Sequence, residues 1–127
     1  LDWRMLCVIM AGGGLGAGFR AALGHWIASH FVSAFPTGTF VVNVIGSFVI
    51  GLISVIFADR VVHADWLRLF LMTGLLGGFT TFSSFSLETV QLIHNGRAAL
   101  AASYIAASVI LCVGGAMAGI YAARTLS

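Results

Sequence analysis

Four apolar stretches, each long enough to cross a bilayer as a helix, take up almost the whole of this chain. They run from about Trp3 to His30, Gly38 to Ala58, Asp65 to His94 and Arg97 to Arg124. A helical span needs about 20 mostly apolar residues. The 127 residues therefore hold four spans joined by short turns, as a single membrane domain with no room for a separate soluble one. Charge agrees: 60% of the residues are hydrophobic and only 8% are charged, whereas an ordinary soluble domain carries about 25% charged residues. Inside lipid only helices and closed barrels satisfy the backbone. These stretches are too long and too rich in Ala, Gly and Leu for barrel strands, which alternate over about ten residues. The expected class is an all-α membrane protein of four closely packed transmembrane helices.

Punctuation fits that reading. Pro36, the only proline, stands where the second helix should begin, a position its fixed φ and missing N–H suit. Asp59, Arg60, His63 and Asp65 mark the second turn, and Asn95-Gly96 the third. The first span is read as retained rather than as a cleaved signal, because three more follow it and Arg20 interrupts its apolar run. The formal charge of +2 is too small and scattered for a nucleic-acid surface, so no nucleic-acid partner is expected. Cys7 and Cys112 lie in apolar stretches and read as lipid- or core-facing thiols, without disulfide or zinc spacing. The four histidines lie near span ends and read as interfacial.

Pairs of small residues four apart (Gly12 and Gly16, Gly14 and Gly18, Ser47 and Gly51, Gly115 and Gly119) let helix backbones approach closely. They serve packing within the chain or contact between subunits, and an oligomer is favoured because four helices cannot easily enclose a dry polar path alone. Arg4, Arg60, Arg68 and Arg124 fall on one side of the membrane, with Arg97 on the other, joined by Arg20 if it reaches that interface. Topology follows the bias in such residues. Here it is weak, so the chain is expected to insert both ways up and the two orientations to pair.

The informative residues are polar ones in the middle of spans, where desolvation is costly unless a partner is found. Thr39, Asn43 and Ser47 share one face of the second span; Tyr104, Ser108 and Cys112 share one of the fourth. In the third, residues 75–86 read LLGGFTTFSSFS. Glycine costs about 1 kcal/mol relative to alanine inside a helix, and Ser and Thr compete for backbone hydrogen bonds. This predicts a break near Gly77 to Thr81. Unwound backbone in a membrane frees carbonyl oxygens, which transporter and channel folds use to hold cations such as sodium; the alternative is a kink with internally satisfied bonds. Phe82 and Phe85 project from nearly the same face. Aromatic rings have electropositive edges that can stabilise an anion, although core packing is the commoner use of such a pair. With neutral Asn, Ser, Thr and Tyr donors, such edges suit a small dehydrating anion, which a channel must bind without trapping. Arg20 either sits in a vestibule that attracts anions or snorkels to the interface. Glu88 either approaches an aqueous mouth or is a solvated carboxylate near the helix end.

The segments GTFVVNVIGSF (residues 38–48) and GGFTTFSSFS (residues 77–86) resemble signatures of the Fluc (CrcB) fluoride-specific channel family. The likeness extends over the whole chain, from the glycine-rich start with Arg20 to the polar fourth span. It implies a passive fluoride channel in the bacterial cell inner membrane, built as an antiparallel, dual-topology homodimer. It also implies two fluoride pores at the subunit interface and a structural sodium ion (Na+) at the dimer centre. Carried over by motif position, Asn43 would be a pore donor, Phe82 and Phe85 the aromatic lining, and Ser84, Tyr104 and Ser108 polar residues of the ion path. Backbone carbonyls of Gly77 and Thr80 would bind sodium. Cys112 stands where a hydroxyl would be a better donor. A proton-coupled small multidrug transporter is the alternative, but it needs a first-span carboxylate and this span has no acid beyond Asp2. No arrangement of Ser, His or metal-ligating residues points to an enzyme.

Overall fold

The computed structural model describes residues 1–59 and 65–126. Arg60 and His63, assigned above to the second turn, lie outside the described residues. Helix α1 is Trp3–His30 and α2 is Thr37–Asp59. The third span is composite: a short helix α3 (Asp65–Arg68), a π-helical segment (Leu69–Leu76), a single turn α4 (Gly77–Phe79) and then α5 (Phe82–His94). Helix α6 is Ala98–Leu126. Among the described residues four stretches are long and apolar enough to cross a membrane: Trp3–His30, Thr37–Ala58, Asp65–His94 and Ala98–Leu126. These lie within a residue or two of the expected bounds.

Local chemistry explains the helix ends. Asp2 caps α1, its carboxylate accepting from the Met5 amide at 3.0 Å, which satisfies one of the free donors of a first turn. Pro36 sits one residue before α2 and accepts from the Phe40 amide at 3.1 Å. After α5 the chain closes with the Arg97 amide on the Leu92 carbonyl (2.8 Å) and the Gly96 amide on the Ile93 carbonyl (3.1 Å). That is a Schellman ending, and Gly96 provides its left-handed residue with φ of 75°.

Two helix pairs make the body of the fold. In one, α1 packs on the π-helical segment and α4; in the other, α2 packs on α6. Both depend on backbone-to-backbone approach. A Cβ on Gly12 would sit 2.5 Å from the Phe70 carbonyl oxygen, and one on Gly16 would collide with the Leu75 carbonyl. In the second pair Gly51 meets the Ala116 carbonyl and Gly119 the Phe48 carbonyl. The Gly12/Gly16 pair and Gly51 with Gly119 therefore serve packing within the chain. Gly14 and Gly18 have nothing within 4 Å of where a Cβ would lie.

The interior is thin. The largest fully buried side chains are Tyr104 and Val42, while Met10, Leu15, Phe19, Ile110 and Met117 are exposed. Tyr104 packs with Leu92 and Ala101, and Phe35, Phe40 and Phe85 surround them. An apolar exterior around a partly polar interior is what a lipid solvent demands, since lipid penalises exposed polar groups and tolerates exposed apolar ones.

Candidate functional site: a broken helix beside an uncharged groove

The third span does break, over a shorter stretch than the sequence predicts. Gly77 keeps helical angles (φ −62°, ψ −36°), and only Thr80 (φ −83°, ψ 155°) and Thr81 (φ −149°, ψ 112°) are extended. Gly78 is used for space, whereas a Cβ on Gly77 would make only an ordinary contact, 3.7 Å from the Met72 carbonyl oxygen. A Cβ on Gly78 would run into the Gly13 carbonyl of α1, so close helix contact explains a feature that had been read as unwinding.

Side chains hold the break open. The Thr81 amide donates to Asn43 Oδ1 at 2.8 Å, and Asn43 Nδ2 donates back to the Thr81 carbonyl at 3.1 Å. The carboxamide thus replaces the helical acceptor that the Thr81 amide has lost and adds a second donor to the Thr81 carbonyl, which as an N-cap carbonyl also accepts the first bond of α5. The Thr81 hydroxyl accepts from the Ser84 amide at 3.1 Å and caps α5. In an unbroken helix the Thr81 and Ser84 amides would donate to the carbonyls of Gly77 and Thr80. Both are diverted to side chains, so those two carbonyls lose their helical donors. The Gly78 carbonyl instead accepts from Arg20 Nε at 3.1 Å. Arg20 is therefore turned toward the break.

A groove of about 390 Å³ runs beside the break. It brings together Asn43, Gly77, Thr80, Phe82, Phe85 and Ser108, and includes Cys112. None of its described lining residues is charged. Phe82 is 78% exposed, with its ring centroid 5.4 Å from that of Phe85. Phe85 in turn lies 5.0 Å from the Tyr104 ring. The Ser108 hydroxyl oxygen is buried with no hydrogen-bond partner among the described residues. A buried polar atom in that state is rare and calls for a ligand or water.

Tyr104, Ser84 and the two charged candidates sit outside that groove. The Tyr104 hydroxyl donates to Glu88 Oε1 at 3.2 Å and the Thr39 hydroxyl to Oε2 at 3.0 Å. Glu88 is thus a held carboxylate, against the reading of it as freely solvated. Thr39, singled out above only for its face of α2, proves to be a direct partner of Glu88; its spacing of four from Asn43 was the available signal. Arg20 and Ser84 line a second pocket of about 180 Å³, together with Gly24, His25, Thr39 and Thr81.

Residues 7–120 match the family described as CrcB-like protein, Camphor Resistance (CrcB). The chain is 47% identical over 126 residues to the fluoride-specific ion channel FluC of Rhodospirillum centenum, covering 96% of this chain and 97% of that protein. It is 48% identical over 120 residues to the fluoride-specific ion channel FluC 2 of Nitrobacter hamburgensis (94% and 97% covered). With the Agrobacterium fabrum FluC the identity is 43% over 121 residues (95% and 97% covered). The match covers the four spans, the break and the groove, and the chain belongs to the CrcB family.

Proposed function

We propose that this protein is a fluoride-selective channel that lets fluoride leave the cytoplasm passively and so limits its toxicity. One observation carries the reading: the groove beside the break offers neutral donors and aromatic rings, with no charged residue among those described. A fluoride ion must shed water to pass, and a fixed cation there would hold it too tightly to release. Asn43 has two amide hydrogens; one is taken by the Thr81 carbonyl and the other is available to the ion. The Ser108 hydroxyl has no partner among the described residues. Phe82 and Phe85 offer ring edges, which are electropositive. The relatives named as fluoride-specific channels point to the same ion, and the transporter alternative has no such support.

The working unit in this reading is an antiparallel homodimer in the bacterial inner membrane. The large exposure of Phe82 supports it, because a path lined by that ring needs a second surface to exclude lipid. The carbonyls of Gly77 and Thr80, released from helical bonding, fit a hard cation, and they would hold a structural sodium at the dimer centre. Sodium bound there would neutralise the oxygens' partial charges and tie the subunits together. The test is purified protein in liposomes, with fluoride and chloride efflux followed by ion-selective electrodes. Fluoride efflux without a proton gradient, and chloride efflux at the level of protein-free liposomes, is expected. Comparable chloride efflux would overturn the selectivity, and a strict need for a proton gradient would mean a coupled transporter.

A further inference from the structure

The groove beside the break carries two sulfur atoms that the channel reading leaves unused. Met72 belongs to the π-helical segment and Cys112 to α6, and both line the groove. Each is half-buried, and Cys112 is a free thiol. Ser108 stands one turn before Cys112 on the same face of α6 and lines the groove as well. It is 7% exposed, and its hydroxyl oxygen has no partner among the described residues. A buried polar atom in that state calls for something that enters the groove, and the thiol stands beside it. The wall around them is otherwise aliphatic, with Ile50, Leu76 and Val109. Cys7, the only other cysteine, is exposed on α1 and does not line the groove.

We propose that Cys112 and Met72 form a site for a soft monovalent metal ion, of the copper(I) and silver(I) class, and that its occupation closes the groove to fluoride. The block rests on the channel reading; the binding of the metal does not. Thiolate and thioether sulfur select such ions over hard cations. Methionine is unbranched and flexible, so the Met72 sulfur adapts to an ion held on the thiol. Binding breaks the S–H bond of Cys112 and forms a sulfur–metal bond, and the proton leaves to water. Nothing is oxidised. The thiolate and a monovalent ion together carry no net charge, which suits a wall with no charged residue among those described. A divalent ion on one thiolate would leave a charge to be desolvated there. The bound ion lies one turn from Ser108 and takes up space that the groove offers to fluoride.

The probe is silver(I), added as the nitrate in chloride-free buffer to the purified protein in liposomes. Fluoride efflux is read as a fraction of each variant's own uninhibited rate. Silver should abolish efflux through the unsubstituted protein and through Cys7→Ser, whereas Cys112→Ser should keep its full rate. Met72→Leu should raise the half-inhibiting concentration by at least about tenfold, since loss of even an outer-shell partner costs that much in metal affinity. Zinc(II) at the same concentrations should not inhibit. Binding is read separately by equilibrium dialysis in detergent. Cys7→Ser should hold one silver ion per chain, and the double variant Cys7→Ser/Cys112→Ser none at the same concentration. The proposal is overturned if silver still blocks Cys112→Ser, if Met72→Leu leaves the half-inhibiting concentration unchanged, or if zinc blocks equally. Silver bound at Cys112 with no fluoride flux in any sample would uphold the metal site and strike the channel reading. Fluoride flux insensitive to silver would strike the proposed block alone.

Discussion

Ser108 and Asn43 both face the groove, yet they make opposite demands on stability. Ser108 is a buried hydroxyl without a partner among the described residues. Leaving such a group unsatisfied costs about 1–3 kcal/mol, so Ser108→Ala should leave the melting temperature in detergent unchanged or higher. Fluoride flux should fall, because a hydrogen bond to a charged group is worth about 1.5–3 kcal/mol, or roughly tenfold or more in rate. Asn43→Ala should lose both: efflux drops to the liposome leak, and stability falls by about 1–3 kcal/mol as the Thr81 amide is left without its acceptor. Thermal unfolding run beside efflux separates the two cases. The groups lining the groove were legible because polar side chains at spacings of four stand out in an apolar chain. The bonds of Thr39, Tyr104 and Glu88 were not. They join three helices, and nothing in linear order says which donors a carboxylate will find.

At the scale of the elements, small residues decide which helices touch. Gly119 sits where α6 meets the Phe48 carbonyl of α2, whereas Gly114 on the same helix has nothing within 4 Å of a would-be Cβ. Gly119→Ala should destabilise by about 1–3 kcal/mol through overpacking. Gly114→Ala should be neutral or gain up to about 1 kcal/mol of helix propensity. Equal melting shifts for the two variants would mean that α2 and α6 do not meet as described. The glycine spacings were readable in the sequence, but their partners were not. The break was readable too, because Thr and Ser weaken a helix. Its extent was overestimated: Gly77 and Gly78 look like helix breakers in sequence, and Gly78 is present because Gly13 leaves no room for a side chain. The π-helical turns of Leu69–Leu76 have no sequence signature, since an apolar run reads alike at any helical pitch.

For the molecule as a whole, span number and span limits followed from hydropathy alone, because lipid forces every backbone group to be bonded within a helix. Assembly leaves no such mark in composition. On the proposed dimer, replacing sodium by a large organic cation should lower the dimer's thermal stability and reduce fluoride flux, since an ion bound only by the assembled state stabilises it by mass action. Unchanged melting and flux would remove the sodium assignment and leave the break as a kink. The break also has a meaning for how the chain holds together. Asn43 grips Thr81 from the α2–α6 pair, and Arg20 grips Gly78 from the α1 pair. The interruption is thus a joint at which both halves of the molecule are fastened, within four residues of each other. Loosening either half pulls on the same short piece of backbone, so the carbonyls there are in register only when the entire chain is correctly folded.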